Sequence, residues 1–161
     1  MISEAKMKHI LGVARKCERL SSIFVPPYLT SNYFLMGYLH DVGYEKQERM
    51  AHSARSYLYL TNFGVSNNNF LEAIKLHGAV VPFESITLEY AILVYSDLTT
   101  NYLGEDISID DRISSIKERY GTTSDAYETS LIQKENLKAY FKIMAYKYPN
   151  KKDLIESAFK F

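Results

Sequence analysis

The stretch Tyr38-Leu39-His40-Asp41-Val42-Gly43 closes an apolar run with a histidine, an aspartate and a glycine in succession. Neighbouring His and Asp suit a core badly, because both side chains need polar partners once they leave water. They suit a divalent cation well, since an imidazole nitrogen and a carboxylate oxygen are ordinary ligands for borderline and hard metals. Working outward, the residues before the pair form an apolar segment from about Thr30, and Gly43 stops it. The pair therefore belongs to the last turn of a helix.

On either side the sequence reads as further helices. Over residues 3–20, Met7, Ile10, Leu11, Ala14 and Cys17 recur at spacings of three and four, with His9 at the edge of the stripe. Val25-Pro26-Pro27 interrupts the pattern, and Thr30, Ser31 and Asn32 are candidate N-caps for the helix that ends at His40. A third helix is expected from about Ala51 to Asn62, with His52 in its first turn and Phe63-Gly64 at its end. A fourth runs from about Asn69 to Leu76, capped by Asn67 to Asn69 and closed by His77-Gly78, where glycine suits a left-handed cap. A fifth, from about Ser85 to Tyr102, is mostly apolar yet contains Asp97. Amphipathic helices over about 110–119, 124–133, 135–147 and 150–160 complete the chain and read as packing around the first five. The expected fold is all-α, in a single domain spanning 1–161, with a metal-binding core over about 5–105 and a helical C-terminal part over about 106–161.

Composition narrows the function. The 161 residues are 47% hydrophobic and 24% charged, and 19 basic residues balance 19 acidic ones, so no net field favours nucleic acid or an anionic membrane. No stable nucleic-acid binding is expected. The longest wholly apolar run, Tyr90 to Tyr95, is six residues, far short of a bilayer span. Cys17 has no second cysteine to pair with, and Met1 to Lys6 does not read as a signal peptide. These features together predict a soluble, cytoplasmic protein.

All four histidines fall at odd places for packing: His9 on a helix face, His40, His52 and His77 at helix ends. Asp41 and Asp97 join them, and an ionised carboxylate buried without a partner costs several kcal/mol. Taken one at a time, each could be a hydrogen-bonded core residue. Together they form a set of nitrogen and oxygen ligands too large for one closed tetrahedral site. Six ligands suit two divalent ions sharing a carboxylate, with Asp41 the natural bridge and positions left for water and substrate. Without a thiolate the set suits iron, manganese, zinc or cobalt, and ligand type does not choose among them; iron or manganese is the expectation.

The order and context of these residues resemble the HD superfamily of metal-dependent phosphohydrolases. Lys8-His9-Ile10-Leu11-Gly12-Val13-Ala14 is similar to the family's opening histidine helix, and Leu39-His40-Asp41-Val42-Gly43 to its hallmark Leu-His-Asp-Ile-Gly. Ala51-His52-Ser53-Ala54, Ala73-Ile74-Lys75-Leu76-His77 and Leu93-Val94-Tyr95-Ser96-Asp97 resemble its later motifs, with Ser96 where alanine is usual. Asp111-Arg112-Ile113 through Arg119-Tyr120-Gly121 also resembles small stand-alone members. The resemblance implies a central metal site in which His9, His40, Asp41 and Asp97 are the common ligands, and His52 and His77 the additional histidines of two-metal members. Those members include the symmetrical dinucleoside tetraphosphate hydrolases. It implies hydrolysis of a phosphate ester or anhydride of a nucleotide or other small phosphorylated metabolite. Alternatives within the same pattern are a di-iron oxygenase and a non-catalytic regulatory or binding domain. Many such hydrolases carry Lys after the glycine, where this chain has Tyr44; Lys46, Arg49 and Lys75 are the nearby cations that can contact a phosphate instead. The loops expected to cover the site are 44–50, 78–84 and 102–110.

Overall fold

The computed structural model describes residues 3–44 and 50–161. It is all-helical: α1 (Glu4–Ser21), α2 (Pro27–Leu39), α3 (His52–Asn62), α4 (Asn68–Leu76), α5 (Leu88–Leu98), α6 (Ile109–Tyr120), α7 (Asp125–Lys147) and α8 (Lys152–Ala158). Two short 3-10 turns, Phe83–Ser85 and Pro149–Lys151, intervene. Among the described residues there is no strand, only an isolated antiparallel bridge between Thr100 and Asp106. No helix among them is long and apolar enough to cross a membrane.

Local chemistry explains most boundaries. Ser3, Asn67, Thr87, Ser108 and Ser124 each accept a backbone N–H of the following turn through the side chain, satisfying a donor that a helix start leaves free. Gly64 and Gly121 end α3 and α6 with φ of 83° and 89°. Gly78 after α4 does not have a positive φ, contrary to the expected left-handed cap. There the terminal carbonyls are met differently, by His77 and by Gln133, as described below.

Three further boundaries depart from expectation. α2 begins at Pro27 with Pro26 as its N-cap, three residues before Thr30. Proline fits the first helical position because its missing N–H would have no partner there, and Thr30 is an interior residue whose hydroxyl donates to Pro27 O at 2.9 Å. α5 stops at Leu98 rather than Tyr102, because Thr99 and Thr100 turn their hydroxyls back to Tyr95 O (2.6 Å) and Ser96 O (2.7 Å). The chain then turns through Gly104 (φ 80°) to pair Thr100 with Asp106. Finally, 124–133 and 135–147 are one helix of 23 residues. Lys134, at the expected break, continues the helix and ties it to α6 through Asp110 Oδ1 at 2.5 Å.

The buried apolar side chains form one cluster, running from Val13, Cys17 and Leu20 of α1 through Ala91 to Val94 of α5 to Leu137 and Phe141 of α7 and Phe159. α1 and α2 lie so close that a Cβ on Gly37 would stand 2.8 Å from Ala14 Cα. This contact brings His9 and the end of α2 to one side of α5.

Candidate metal centre

Helix ends decide the geometry of this site. His40 and His77 are the C-cap residues of α2 and α4, where carbonyls lack intrahelical partners. Each ring answers the same need: His40 Nδ1 donates to Gly37 O and His77 Nδ1 to Ile74 O, both at 2.6 Å. His9 Nδ1 likewise donates to Asn101 O at 3.1 Å. A carbonyl can only accept, so Nδ1 carries a proton in each ring, and loss of the other proton leaves a lone pair on Nε2. All three Nε2 atoms are thus placed to act as ligand atoms, each ring held by a backbone bond on its far side, as in metal-binding histidines.

These lone pairs converge. His9 Nε2 lies 3.0 Å from Asp97 Oδ1, and His40 Nε2 lies 3.2 Å from Asp41 Oδ2. His52 Nε2 is 3.3 Å from Asp41 Oδ1 and 3.2 Å from His77 Nε2. His77 Nε2 is 3.8 Å from Asp41 Oδ1. Asp41 therefore turns one oxygen to His40 and the other to His52 and His77. Two groups, His9-His40-Asp97 and His40-Asp41-His77, each offer ligand atoms within 4.8 Å of one another and could hold a metal ion. The structure brings all six expected ligands together, from α1, the end of α2, the start of α3, the end of α4 and α5.

The donor set fits a cation on a further observation. His40 Nε2 and Asp41 Oδ1 are buried without any hydrogen-bond partner among the described residues. Such atoms are costly unless something positive meets them. His52 Nε2, 3.2 Å from His77 Nε2, either donates to it or adds a second lone pair to the same space, according to its tautomer.

The surrounding turn is fixed by α3. Gly43 N donates to Ser56 Oγ and Arg55 Nε to Gly43 O, both at 2.9 Å. A Cβ on Gly43 would stand 2.6 Å from Ser56 N, so only glycine lets the turn carrying Asp41 reach α3. Gln133 of α7 holds the end of α4, its Nε2 donating to His77 O (2.9 Å) and Ala79 O (3.0 Å). Nothing about α7 in the sequence singled out this glutamine except its polarity on a buried face.

Electrostatics follow from burial and crowding. Burial resists charge on Asp41, but His40, Lys6 and His77 overcome it and hold the carboxyl well below its usual range. Burial likewise opposes Asp97, and the His9 hydrogen bond together with the charges of His9, His40 and Arg112 wins. Burial disfavours a proton on His40, yet the adjacent Asp41 carboxylate raises its pKa. A metal ion taking that nitrogen must displace the proton, so binding strengthens with pH. Burial, then the His40 charge, push His77 down to about 4, and burial lowers His52.

A pH dependence follows for the chelator-treated protein. Between 6.5 and about 4, unfolded His77 takes a proton that folded His77 refuses, so stability falls as pH falls through this window. The slope from His77 alone is roughly 1 kcal/mol per pH unit. His40 acts in the opposite sense, its contribution being lost as pH rises above its raised value. The thermal midpoint should therefore drop steadily on acidification below 6.5; a flat midpoint across that window would contradict the buried neutral state of His77.

A cleft of about 350 Å³ opens over the centre, lined by Lys6, His9, Asp41, Tyr44, His52, Asp97 and Tyr102 together with Arg112, Arg119 and Tyr120 of α6. Of the three loops expected to cover the site, residues 78–84 contribute nothing to this lining, and α6 takes that place. Lys75 is held on α4 by Glu72 Oε1 at 3.4 Å and over the Tyr57 ring at 4.9 Å, outside the cleft. Lys46 and Arg49 lie outside the described residues. Lys6 instead provides a cation at the site, its ammonium bonded to Asp41 Oδ2 and seated 4.0 Å from the Tyr44 ring centroid. The signal for Lys6 was available in the sequence, since it precedes His9 by three residues and so shares its helix face. Arg112 and Arg119, seven apart, share a face of α6 in the same way.

No family model, no curated protein and no solved structure matches the chain.

Proposed function

We propose that the protein is a metal-dependent phosphohydrolase of the HD type, cleaving a phosphate ester or anhydride of a nucleotide or other small phosphorylated metabolite. The observation that carries this reading is the division of the Asp41 carboxylate, one oxygen toward His40 and the other toward His52 and His77. A carboxylate placed in this way could serve two divalent ions, as two-metal hydrolases require. In this reading His9, His40 and Asp97 would hold one divalent ion and His52 and His77 the other, with Asp41 a ligand common to both. Iron or manganese is the expected pair, with zinc or cobalt as further candidates that the donors fit equally. When bound, such ions supply Lewis acidity toward phosphoryl oxygens and make water acidic enough to be a nucleophile near neutral pH. The chain's own contribution is orientation: backbone carbonyls fix three imidazoles, and the Ser56 and Arg55 contacts fix the turn carrying Asp41.

The test is metal content by mass spectrometry on protein purified without chelator, followed by a panel of phosphorylated substrates with iron and with manganese. About two equivalents, with phosphate release abolished by chelation and restored by metal, is the expected result. About one equivalent would give His52 or His77 another role. Absence of metal even after reconstitution would overturn the reading in favour of a non-catalytic domain. Oxygen uptake by the iron form without phosphate release would favour the oxygenase.

A further inference from the structure

The charges lining the cleft are unequal. Among the described residues of the lining, Lys6, Arg112 and Arg119 supply three cations, against the two carboxylates Asp41 and Asp97. Both carboxylates belong to the metal centre, so metal binding consumes the negative charge and adds positive charge beside it. Arg112 illustrates the consequence: its Nε is buried without a hydrogen-bond partner among the described residues. A guanidinium in the wall of a cleft whose centre takes up cations is costly unless an anion lies between them.

Resting on the metal-centre reading above, we infer that α6 is an anion-recognition wall, on which Arg112 and Arg119 grip the phosphoryl oxygens of a small phosphorylated substrate. Three observations converge on it. The two arginines stand two turns apart on one helix and line one cleft with His9, His52 and Asp97. The guanidinium fork matches the geometry of a phosphate, which accepts paired N–H bonds better than it accepts an ammonium point charge. The cleft, about 350 Å³, sits at the small end of the range for small-molecule sites, which selects a low-mass phosphate compound over a polymer. Lys6, tied to Asp41 and resting on Tyr44, completes the ring of positive charge on the α1 side. The division of labour is then spatial: the five elements from α1 to α5 hold the metal ligands, and α6 holds the anion.

The experiment uses inorganic phosphate as the probe. Its affinity is measured by calorimetry on metal-loaded wild type, Arg112→Gln, Arg119→Gln and the double variant, with metal content determined on each sample. Each charge-assisted contact is worth about 1.5–3 kcal/mol, so each single variant should lose roughly tenfold to a hundredfold in phosphate affinity while keeping its metal. Arg119 is exposed, so Arg119→Gln reports even if Arg112→Gln folds poorly. Arg112→Lys should recover only part of the loss, because it restores charge without the fork. Unchanged phosphate affinity in a metal-replete double variant would overturn the anion wall and leave the metal reading standing. A wild type that binds no metal yet loses phosphate binding in the double variant would do the reverse, sparing the wall and removing the hydrolase.

Discussion

Asp41→Asn is expected to empty the metal centre while leaving the helices in place. The substitution keeps the side-chain shape and one carbonyl oxygen, and removes the charge and the second carboxylate oxygen. In the folded protein those oxygens face His40 at 3.2 Å and His52 at 3.3 Å, and one accepts from Lys6. Losing a residue that merely orients a ligand costs about tenfold to a hundredfold in metal affinity. With Asp41 a ligand to both halves of the centre, as proposed, the loss should exceed about a hundredfold. Metal content after dialysis, the far-ultraviolet dichroism of the same sample and hydrolysis of p-nitrophenyl phosphate form the measurement. Folded protein, little metal and turnover at the uncatalysed level are the expected outcome. A folded Asp41→Asn variant with its full metal complement would remove Asp41 from the centre. Asp41→Ala should give the same metal loss with a larger packing cost, since Asp41 is 3% exposed.

The largest effect on stability is expected from Gly104→Ala, far in sequence from any ligand. Gly104 has φ 80°, a region that costs an L-residue with a side chain roughly 1–2 kcal/mol. A Cβ there would also fall on the Lys8 carbonyl oxygen of α1, a backbone atom that cannot swing aside. Overpacking of that kind adds about 1–3 kcal/mol. Together these predict a fall in the thermal midpoint on the order of 10 °C for a chain of this size. The consequence reaches the metal centre, because the same turn holds Asn101, whose carbonyl orients His9. Asn101 Oδ1 accepts from Leu103 N at 2.8 Å and Glu105 N at 3.0 Å, so a shift at Gly104 moves the whole turn. The variant should therefore melt early and hold its metal less firmly while folded. A midpoint within a degree or two of wild type would mean that α1 and the 100–106 turn are not in the close contact described.

Much of this was written locally. Ser3, Asn67, Ser108 and Ser124 stand at helix starts, and Gly64 and Gly121 at ends, because a cap acts within three or four residues of itself. The six candidate ligands stood out from sequence because a histidine or aspartate beside an apolar stripe has no packing reason to be there. That logic is also local, and all six meet at one centre. Where a signal was ambiguous, tertiary contacts chose. Nothing between 133 and 135 breaks a helix, and the pairing of Lys134 with Asp110 uses the continuous one. Thr99 and Thr100 could have extended α5, but their hydroxyls turn back and the chain pairs with Asp106.

What only the tertiary structure decided is which charged side chains face the centre. Lys75 is two residues from His77 and points away, held by Glu72 and Tyr57. Arg112 is fifteen residues beyond Asp97 and lines the cleft. A helix turns about 100° per residue, so nearness in sequence puts successive residues on different faces. Which face meets the site is set by how α6 packs on α7 and α5. Residue types, spacing and caps thus determined the helices and the set of candidate ligands that meet at one centre. Packing between distant segments determined the walls around that set, because a surface charge carries no local mark of the neighbour it will meet.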